Sequence, residues 1–122
     1  MKVGIPTMGD SGLDESVSQH FGRASTFTIV DMESDEVKVI PNSRSHRKGS
    51  RMSPEKLNQE GVQVMLCSDL GPKAVNMFEQ LGIEVFVGAG GKVRDALESW
   101  KAGRLEETTE KEACEEHRRQ YP

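Results

Sequence analysis

VQVMLC, residues 62 to 67, is a near-continuous apolar run with the length of a single strand. Such a run is typical of a strand buried on both faces of a parallel sheet. Residues 72–81 follow with apolar side chains on one helical face, and Gly82 is a typical C-terminal cap. Residues 83–87 repeat the buried-strand pattern, and residues 93–100 again carry apolar side chains at helical spacing. This order of strand, helix, strand and helix predicts right-handed parallel crossovers.

The first half of the chain predicts three further strands. Residues 2–7 are mostly apolar and end at a glycine-rich turn, whereas residues 26–32 and 37–40 alternate on either side of a polar turn and predict an antiparallel hairpin. With the two later strands they predict a five-stranded mixed sheet in the order 3-2-1-4-5, with strand 2 antiparallel and helices on both faces. This three-layer α/β/α arrangement is ribonuclease H-like.

The C-terminal residues 106–122 are rich in Glu and Arg and carry almost no apolar stripe. This composition predicts a solvated helix or a frayed tail. We therefore expect a single domain over residues 1–105, followed by a charged tail over residues 106–122.

Composition excludes several classes of protein. The 122 residues are 34% hydrophobic and 30% charged, with a net charge of −4. The apolar residues fall in blocks, which argues against wholesale disorder, and the negative charge argues against a nucleic-acid binder. No stretch approaches the roughly 18 apolar residues of a membrane span, and the chain starts with a strand and a turn, so we expect a cytoplasmic protein. Two cysteines, Cys67 and Cys114, are too few for a disulfide framework, a four-cysteine zinc site or a private iron-sulfur cluster.

Three loops should meet at the carboxyl edge of the parallel strands, where α/β proteins bind their ligands. They contain His20–Arg23, Ser68–Pro72 and Gly88–Lys92. Four glycines in these loops are candidate ligand contacts: Gly71, Gly88, Gly90 and Gly91. Glycines can let backbone N–H groups face an anion, particularly where a helix begins. The alternative is that they only form tight turns, since the 88–92 loop matches neither the Walker A nor the dinucleotide-binding spacing.

Three side chains near this edge could contact a metal or an anion. The imidazole of His20 is a good ligand for iron, copper or zinc, and Arg23 can pair with an oxyanion or a sulfide-rich ligand. Cys67 ends the fourth strand and is the thiol expected closest to the site. His20 and Cys67 each have a plainer alternative, because a lone histidine is often structural and a lone cysteine is often a small buried hydrophobe.

Two further segments carry possible chemistry. Cys114 and His117 are three residues apart, so a helix would place them on one face as a weak metal pair, with a solvated tail as the alternative. Four cations lie without an acid between Ser43 and Arg51: Arg44, Arg47, Lys48 and Arg51. These cations could attract an anionic ligand or an acidic partner, or simply keep a surface loop soluble.

Several spaced motifs resemble the dinitrogenase iron-molybdenum cofactor biosynthesis family, which includes NifX, the C-terminal domain of NifB, the core of NafY and the orange-protein type. The likeness spans roughly residues 1–105. It is carried by these segments: Met1–Thr7, Gly12–Asp14, Val17–Ala24, Phe27–Asp31, Leu57 with Gly61 and Val62, Leu70–Ala74, Leu81–Val85 and Ala102–Leu105.

The resemblance implies a ribonuclease H-like domain that binds, stores or transfers an iron- and/or molybdenum-containing sulfide cluster without catalysis. It also implies that the histidine of the His-Phe-Gly motif, His20 here, contacts the cluster. Such a cluster carries most of its own ligands, so its carrier needs a cationic cradle rich in backbone N–H groups and one or two replaceable ligands. The expected cargo is a labile molybdenum, iron or copper sulfide cluster. The expected partners are cluster donor and acceptor proteins, with the chain itself a monomer or a weak homo-oligomer.

Two other functions compete with cluster binding. A metal-dependent nuclease would need carboxylates such as Asp10, Asp31 and Asp69 to converge on two cations. A regulatory module that binds a small anion or a nucleotide would need only the glycine loops. The sequence offers no feature that would recognise a base.

Overall fold

The sheet is mixed and has six strands in the part of the chain that the computed structural model describes, residues 1–42 and 54–109. The strands are β1 (Lys2–Thr7), β2 (Thr26–Asp31), β3 (Val37–Pro41), β4 (Val62–Cys67), β5 (Glu84–Val87) and β6 (Glu106–Thr108). The helices are α1 (Pro54–Gln59), α2 (Pro72–Gln80) and α3 (Val93–Lys101), with a 3-10 turn at Gly12–Asp14. No helix in these described ranges is long and apolar enough to cross a membrane.

The strand order is β3-β2-β1-β4-β5-β6, which contains the predicted order of the first five strands. Strand β2 pairs antiparallel with both β1 and β3, while β4 pairs parallel with β1 and with β5. The carboxyl ends of β1, β4 and β5 therefore lie at one edge of the sheet, as the sequence predicted.

The prediction of five strands is wrong by one. Glu106–Thr108, which we assigned to a helical or frayed tail, pairs antiparallel with β5 and forms an edge strand. Only Thr108 of this strand is buried, and both glutamates are exposed. Because so short and polar a segment has almost no strand signal of its own, its conformation depends on the neighbouring strand. The rest of the predicted tail lies outside the described residues.

Side chains from the two faces of the sheet form two apolar clusters. On one face, Leu57 of α1 and Val75 and Phe78 of α2 pack with strand residues such as Phe27. On the other face, the cluster includes α3 residues and the first strand: Val3, Ile5, Val93, Ala96 and Leu97. Helices therefore cover both faces of the sheet, in three layers.

A bulge at the start of β4 explains why the apolar residues of this strand pack on both faces of the sheet. Lys2 pairs with Val62 and Val3 pairs with Val64, so Gln63 is an extra residue in β4. Val62 packs into the α1/α2 cluster and Val64 into the α3 cluster, although they are two residues apart. A bulge switches the face on which the next residue lies, which lets this run fill both sides of the sheet.

Candidate functional site

The three loops predicted to meet at the carboxyl edge are joined by backbone hydrogen bonds. The N–H of Ala89 donates to the carbonyl of Cys67 at 3.0 Å, and the N–H of Gly88 donates to the carbonyl of Ser68 at 3.1 Å. The N–H of Val17 donates to the carbonyl of Gly91 at 2.9 Å. The loop after β5 thus connects the other two loops into one continuous edge.

A cleft of about 390 Å³ opens between the loop that follows β1 and the segment that leads into α2. One wall is formed by Gln19, His20, Phe21, Gly22 and Arg23, and the other by Asp69, Leu70, Gly71 and Ala74. The structure therefore brings His20, Arg23 and Gly71 together, as the sequence predicted for the edge. The side chains of Gln19, His20, Arg23 and Asp69 are exposed, so a ligand can reach them from solvent.

Phe21 anchors the first wall of the cleft in the core. Its ring lies 5.1 Å from the ring of Phe27, between centroids, and 5.5 Å from the ring of Phe78 in an edge-on arrangement. Such aromatic contacts stabilise beyond the apolar area that they bury. Because the residues on either side of Phe21 are exposed, this anchor turns His20 and Gly22 outward into the cleft.

The backbone of His20 is fixed by a second anchor, Ser18. The buried Ser18 hydroxyl donates to the carbonyl of His20 at 3.0 Å and accepts from the N–H of His20 at 3.3 Å. The N–H of Ser18 in turn donates to the carbonyl of Pro6 in β1 at 2.8 Å. The position of His20 is thus tied directly to the sheet.

The second wall contains the N-terminus of α2. Gly71 is the N-cap residue, no side chain caps the helix, and Pro72 follows at the first helical position. The carbonyl of Gly71 accepts from the N–H of Val75 at 3.0 Å. In such a helix the N–H groups of the first turn, here those of Lys73 and Ala74, have no partner within the helix. Ala74 lines the cleft, so this positive helix end favours an anion there.

Backbone conformation explains two of the glycines in the loop after β5 without any contact to the cleft. Gly88, Gly90 and Gly91 are not among the residues that line the cleft. Gly88 and Gly91 have φ values of +100° and +69°, which side-chain-bearing residues rarely adopt. A Cβ on Gly91 would also lie 2.9 Å from the carboxylate of Asp95. The tight-turn alternative accounts for Gly88 and Gly91, and their role as ligand contacts stays a prediction.

Cys67 lies in the core rather than in the wall of the cleft. Its side chain is 1% exposed and packs in the α1/α2 cluster. Burial, with a smaller contribution from the charge of Asp69, raises the pKa of the Cys67 thiol to about 12. A thiol packed in the core acts as a small hydrophobic side chain and is not accessible to a cargo in the cleft, so we do not carry Cys67 into the proposed site.

The acids needed for a nuclease do not converge. Strand β2 runs antiparallel to β1, so Asp31, at the end of β2, pairs with Lys2 at the beginning of β1. It therefore lies at the opposite edge from Asp69. Within residues 1–42 and 54–109, no group of three or more His, Cys, Asp or Glu side chains is placed to hold a metal ion.

Two sequence predictions fall outside the described residues. They are the cationic segment from Ser43 to Arg51 and the Cys114 and His117 pair.

Sequence reasoning missed two features of the cleft. The role of Ser18 was not predicted, although a serine two residues before a turn residue is a familiar local hydrogen-bonding pattern. Asp69 was considered only as a nuclease carboxylate, although its position two residues before Gly71 places it in the same wall.

Comparisons with known proteins agree with this architecture. A family model described as dinitrogenase iron-molybdenum cofactor matches residues 1–103. An uncharacterized protein of Methanocaldococcus jannaschii is 30% identical over 112 residues, which are 87% of this chain and 90% of that protein.

Two solved structures are similar over most of the chain. One is a candidate NifB protein from Thermotoga, described as a member of the DUF35 family, with 34% identity and a TM-score of 0.71 over 87% of this chain and 91% of that chain. The other is the apo form of the orange protein from Desulfovibrio gigas, with 27% identity and a TM-score of 0.76 over 88% of this chain and 92% of that chain.

Proposed function

This chain belongs to the dinitrogenase iron-molybdenum cofactor family, and from that premise we propose that its cleft binds an anionic metal-sulfide cluster and passes it on without catalysis. The family membership confirms the resemblance that the spaced sequence motifs indicated. The cluster is cargo in this proposal, an iron- and/or molybdenum-containing sulfide or a related copper-containing one. His20 is its replaceable ligand, and Arg23 and the N-terminus of α2 are its electrostatic contacts.

One observation carries the proposal: a single cleft contains the His20 imidazole, the Arg23 side chain and the N-terminus of α2. Its volume of about 390 Å³ lies within the range of small-ligand sites. A guanidinium and a helix N-terminus both favour negative charge, and an imidazole binds iron, copper or zinc.

The residue types support a preassembled cluster better than a bare ion. A bare transition-metal ion is usually held by three or four protein ligands, whereas the cleft offers one imidazole as its nitrogen ligand among the described residues. A cluster whose metals are already bound by its own sulfides needs fewer protein ligands. Weak ligation in an open cleft also suits transfer to an acceptor protein, because few bonds must break.

The proposal includes several finer expectations. The three layers and the strand order support a ribonuclease H-like description of the fold. We expect the protein to act in the cytoplasm with donor and acceptor proteins as partners, as a monomer or a weak homo-oligomer, and to lose a labile cluster during purification.

A regulatory module that binds a small anion is the second candidate. The α2 N-terminus favours it, because uncapped helix N-termini commonly bind phosphate or sulfate. The two candidates differ in their dependence on His20. A simple oxyanion at the helix end needs no imidazole ligand, whereas a cluster held through a metal does.

The test is anaerobic reconstitution of the apo-protein with tetrathiomolybdate plus copper or iron, and separately with isolated iron-molybdenum cofactor. Absorption spectra and the metal retained after gel filtration are compared for the parent, His20→Ala and Gln19→Ala. Gln19 is the matched control, because it is the exposed neighbour of His20 in the same wall. We expect His20→Ala to weaken retention at least about tenfold, the loss typical of removing even a ligand's supporting partner. Equal retention by His20→Ala and the parent under every condition would contradict His20 as a ligand.

A further inference from the structure

Asp69 places a carboxylate in a cleft whose other features favour negative ligands. Its side chain is exposed and lines the cleft opposite His20 and Arg23. Its Oδ1 accepts a hydrogen bond from the N–H of Leu70 at 2.9 Å, which holds the carboxylate near the backbone just before α2. Gly71, the N-cap of α2, follows two residues later.

We infer that the Asp69 carboxylate weakens the binding of an anionic cargo in this cleft and so sets how readily the cargo is released. The inference rests on the proposed function, which it deepens by assigning a release-determining residue. A carrier must let go of what it binds. A fixed negative charge beside the binding groups lowers affinity without removing any ligand.

Two residues of the opposite wall and one residue of α2 carry basic side chains in this part of the protein. His20 and Arg23 belong to the opposite wall, and Lys73 is an exposed residue in the first turn of α2. Cationic side chains such as Arg23 attract an anion that Asp69 repels. Because these side chains are exposed, salt should screen the attraction and the repulsion alike.

The negative charge of Asp69 also affects the buried thiol of Cys67. It is the second cause, after burial, of the raised pKa of the Cys67 thiol at the end of β4. A negative charge that opposes formation of a thiolate opposes an anionic ligand on the same physical ground. The opposite role for Asp69 would be direct ligation of the metal together with His20, and that role predicts the opposite result on substitution.

The experiment compares Asp69→Asn with Glu84→Gln in the full chain. Asparagine keeps an oxygen that can accept from Leu70, so only the charge is lost. Glu84 is exposed at the first residue of β5, at the amino edge of the sheet, and its substitution changes the net charge equally. The probe is tetrathiomolybdate, a dianion, with affinity measured anaerobically by equilibrium dialysis at low and high salt. The rate of its release on rapid dilution into probe-free buffer is measured in parallel.

We expect Asp69→Asn to bind the probe about three- to tenfold more tightly at low salt, as one unit charge at close range in water allows, and to release it more slowly. High salt should shrink this gain, and Glu84→Gln should behave like the parent. Weaker binding by Asp69→Asn would make Asp69 a ligand, and an equal gain in Glu84→Gln would make the effect one of net charge. Either result, or unchanged binding by Asp69→Asn while the parent binds, overturns this inference alone. Failure of the parent to bind tetrathiomolybdate overturns this inference. Failure of the parent to retain metal in the reconstitution with tetrathiomolybdate plus copper or iron, and with isolated iron-molybdenum cofactor, overturns the proposed function instead.

Discussion

The hydroxyl of Ser18 both donates to the carbonyl and accepts from the N–H of His20, at 3.0 and 3.3 Å. This pair of hydrogen bonds fixes the backbone at His20, the proposed cluster ligand, in the loop that follows β1. Ser18 is 3% exposed, whereas His20 is exposed. A buried anchor therefore positions an accessible imidazole, which is the arrangement that a replaceable ligand requires.

Ser18→Ala should therefore lower affinity for the cargo while leaving the fold intact. Removing one buried hydroxyl lowers the free energy of unfolding by about 1 kcal/mol. The fold tolerates this loss because the N–H and carbonyl of His20 can form hydrogen bonds with water instead. Retention of cargo should fall less than in His20→Ala, since the imidazole itself remains. Urea unfolding and gel-filtration retention measure the two effects, with Ser16→Ala, an exposed serine of the same loop, as the control. Unchanged retention in Ser18→Ala would show that the anchor does not position the ligand.

Gly71→Ala should hinder the cargo sterically without straining the protein. Gly71 has φ −69° and ψ 159°, which alanine adopts readily, and a Cβ there would meet no atom within 4 Å. The added methyl would enter the cleft beside the helix N-terminus, so affinity should fall, while the free energy of unfolding should change by less than about 1 kcal/mol. Dialysis binding and thermal unfolding check the two expectations.

Gly90→Ala is the matched control for this prediction. A Cβ on Gly90 would also meet no atom within 4 Å, and Gly90 is not among the glycines with positive φ. It lies outside the cleft lining, so binding should stay at the parent value. Loss of binding in Gly90→Ala but not in Gly71→Ala would place the cargo against the loop after β5.

The sheet was predictable from sequence because its signals are local. The apolar run at Val62–Cys67 indicates a strand, and Gly82 and Gly103 mark the ends of the two helices that follow the parallel strands. Strand β6 lacks such a signal, since Glu106 and Glu107 are polar and the segment adopts strand geometry through pairing with Val85–Val87. Local pattern and tertiary pairing thus account for different parts of the same sheet.

The candidate site was predictable to the level of the sheet edge, but no further. Parallel strands fix which edge the loops share, and that placed His20 near Gly71. The choice of which two loops form the cleft depends on the Phe21 ring packing against Phe27 and Phe78. Phe78 is distant from Phe21 in the sequence, so no local pattern reveals their contact. The edge at which Asp31 lies, by contrast, follows from the antiparallel direction of β2, which the sequence predicted.

The cationic segment yields a prediction from its composition, although it lies outside the described residues. Replacement of Arg44, Arg47, Lys48 and Arg51 by serine removes four positive charges from a segment without acids. If they steer an anionic ligand, the association rate for tetrathiomolybdate should fall at low ionic strength and match the parent at high salt, because screening is nearly complete there. Stopped-flow absorption at several salt concentrations measures this. An association rate equal to that of the parent at low salt would eliminate steering.

Cys67 should be inert in the folded protein and dispensable for cargo retention. Burial, with the charge of Asp69 adding to it, raises the pKa of its thiol from 9.0 to about 12. In a Cys114→Ser background, a thiol reagent at pH 8 should therefore react with Cys67 only after the chain unfolds. Cys67→Ala should retain cargo like the parent. Reduced retention in a folded Cys67→Ala protein would indicate that Cys67 is a ligand of the cargo.

The raised pKa of the Cys67 thiol should make the free energy of unfolding decrease as the pH rises in the alkaline range. The folded protein holds the Cys67 proton more tightly than the unfolded chain, whose thiol titrates near 9.0. The resulting stabilisation is complete below pH 9 and is lost as the pH rises from 9 toward 12. Urea unfolding across this range should show a steeper loss of stability for the parent than for Cys67→Ala, since the variant lacks the titrating group. Parallel curves for the two proteins would mean that the thiol is not held in an apolar environment.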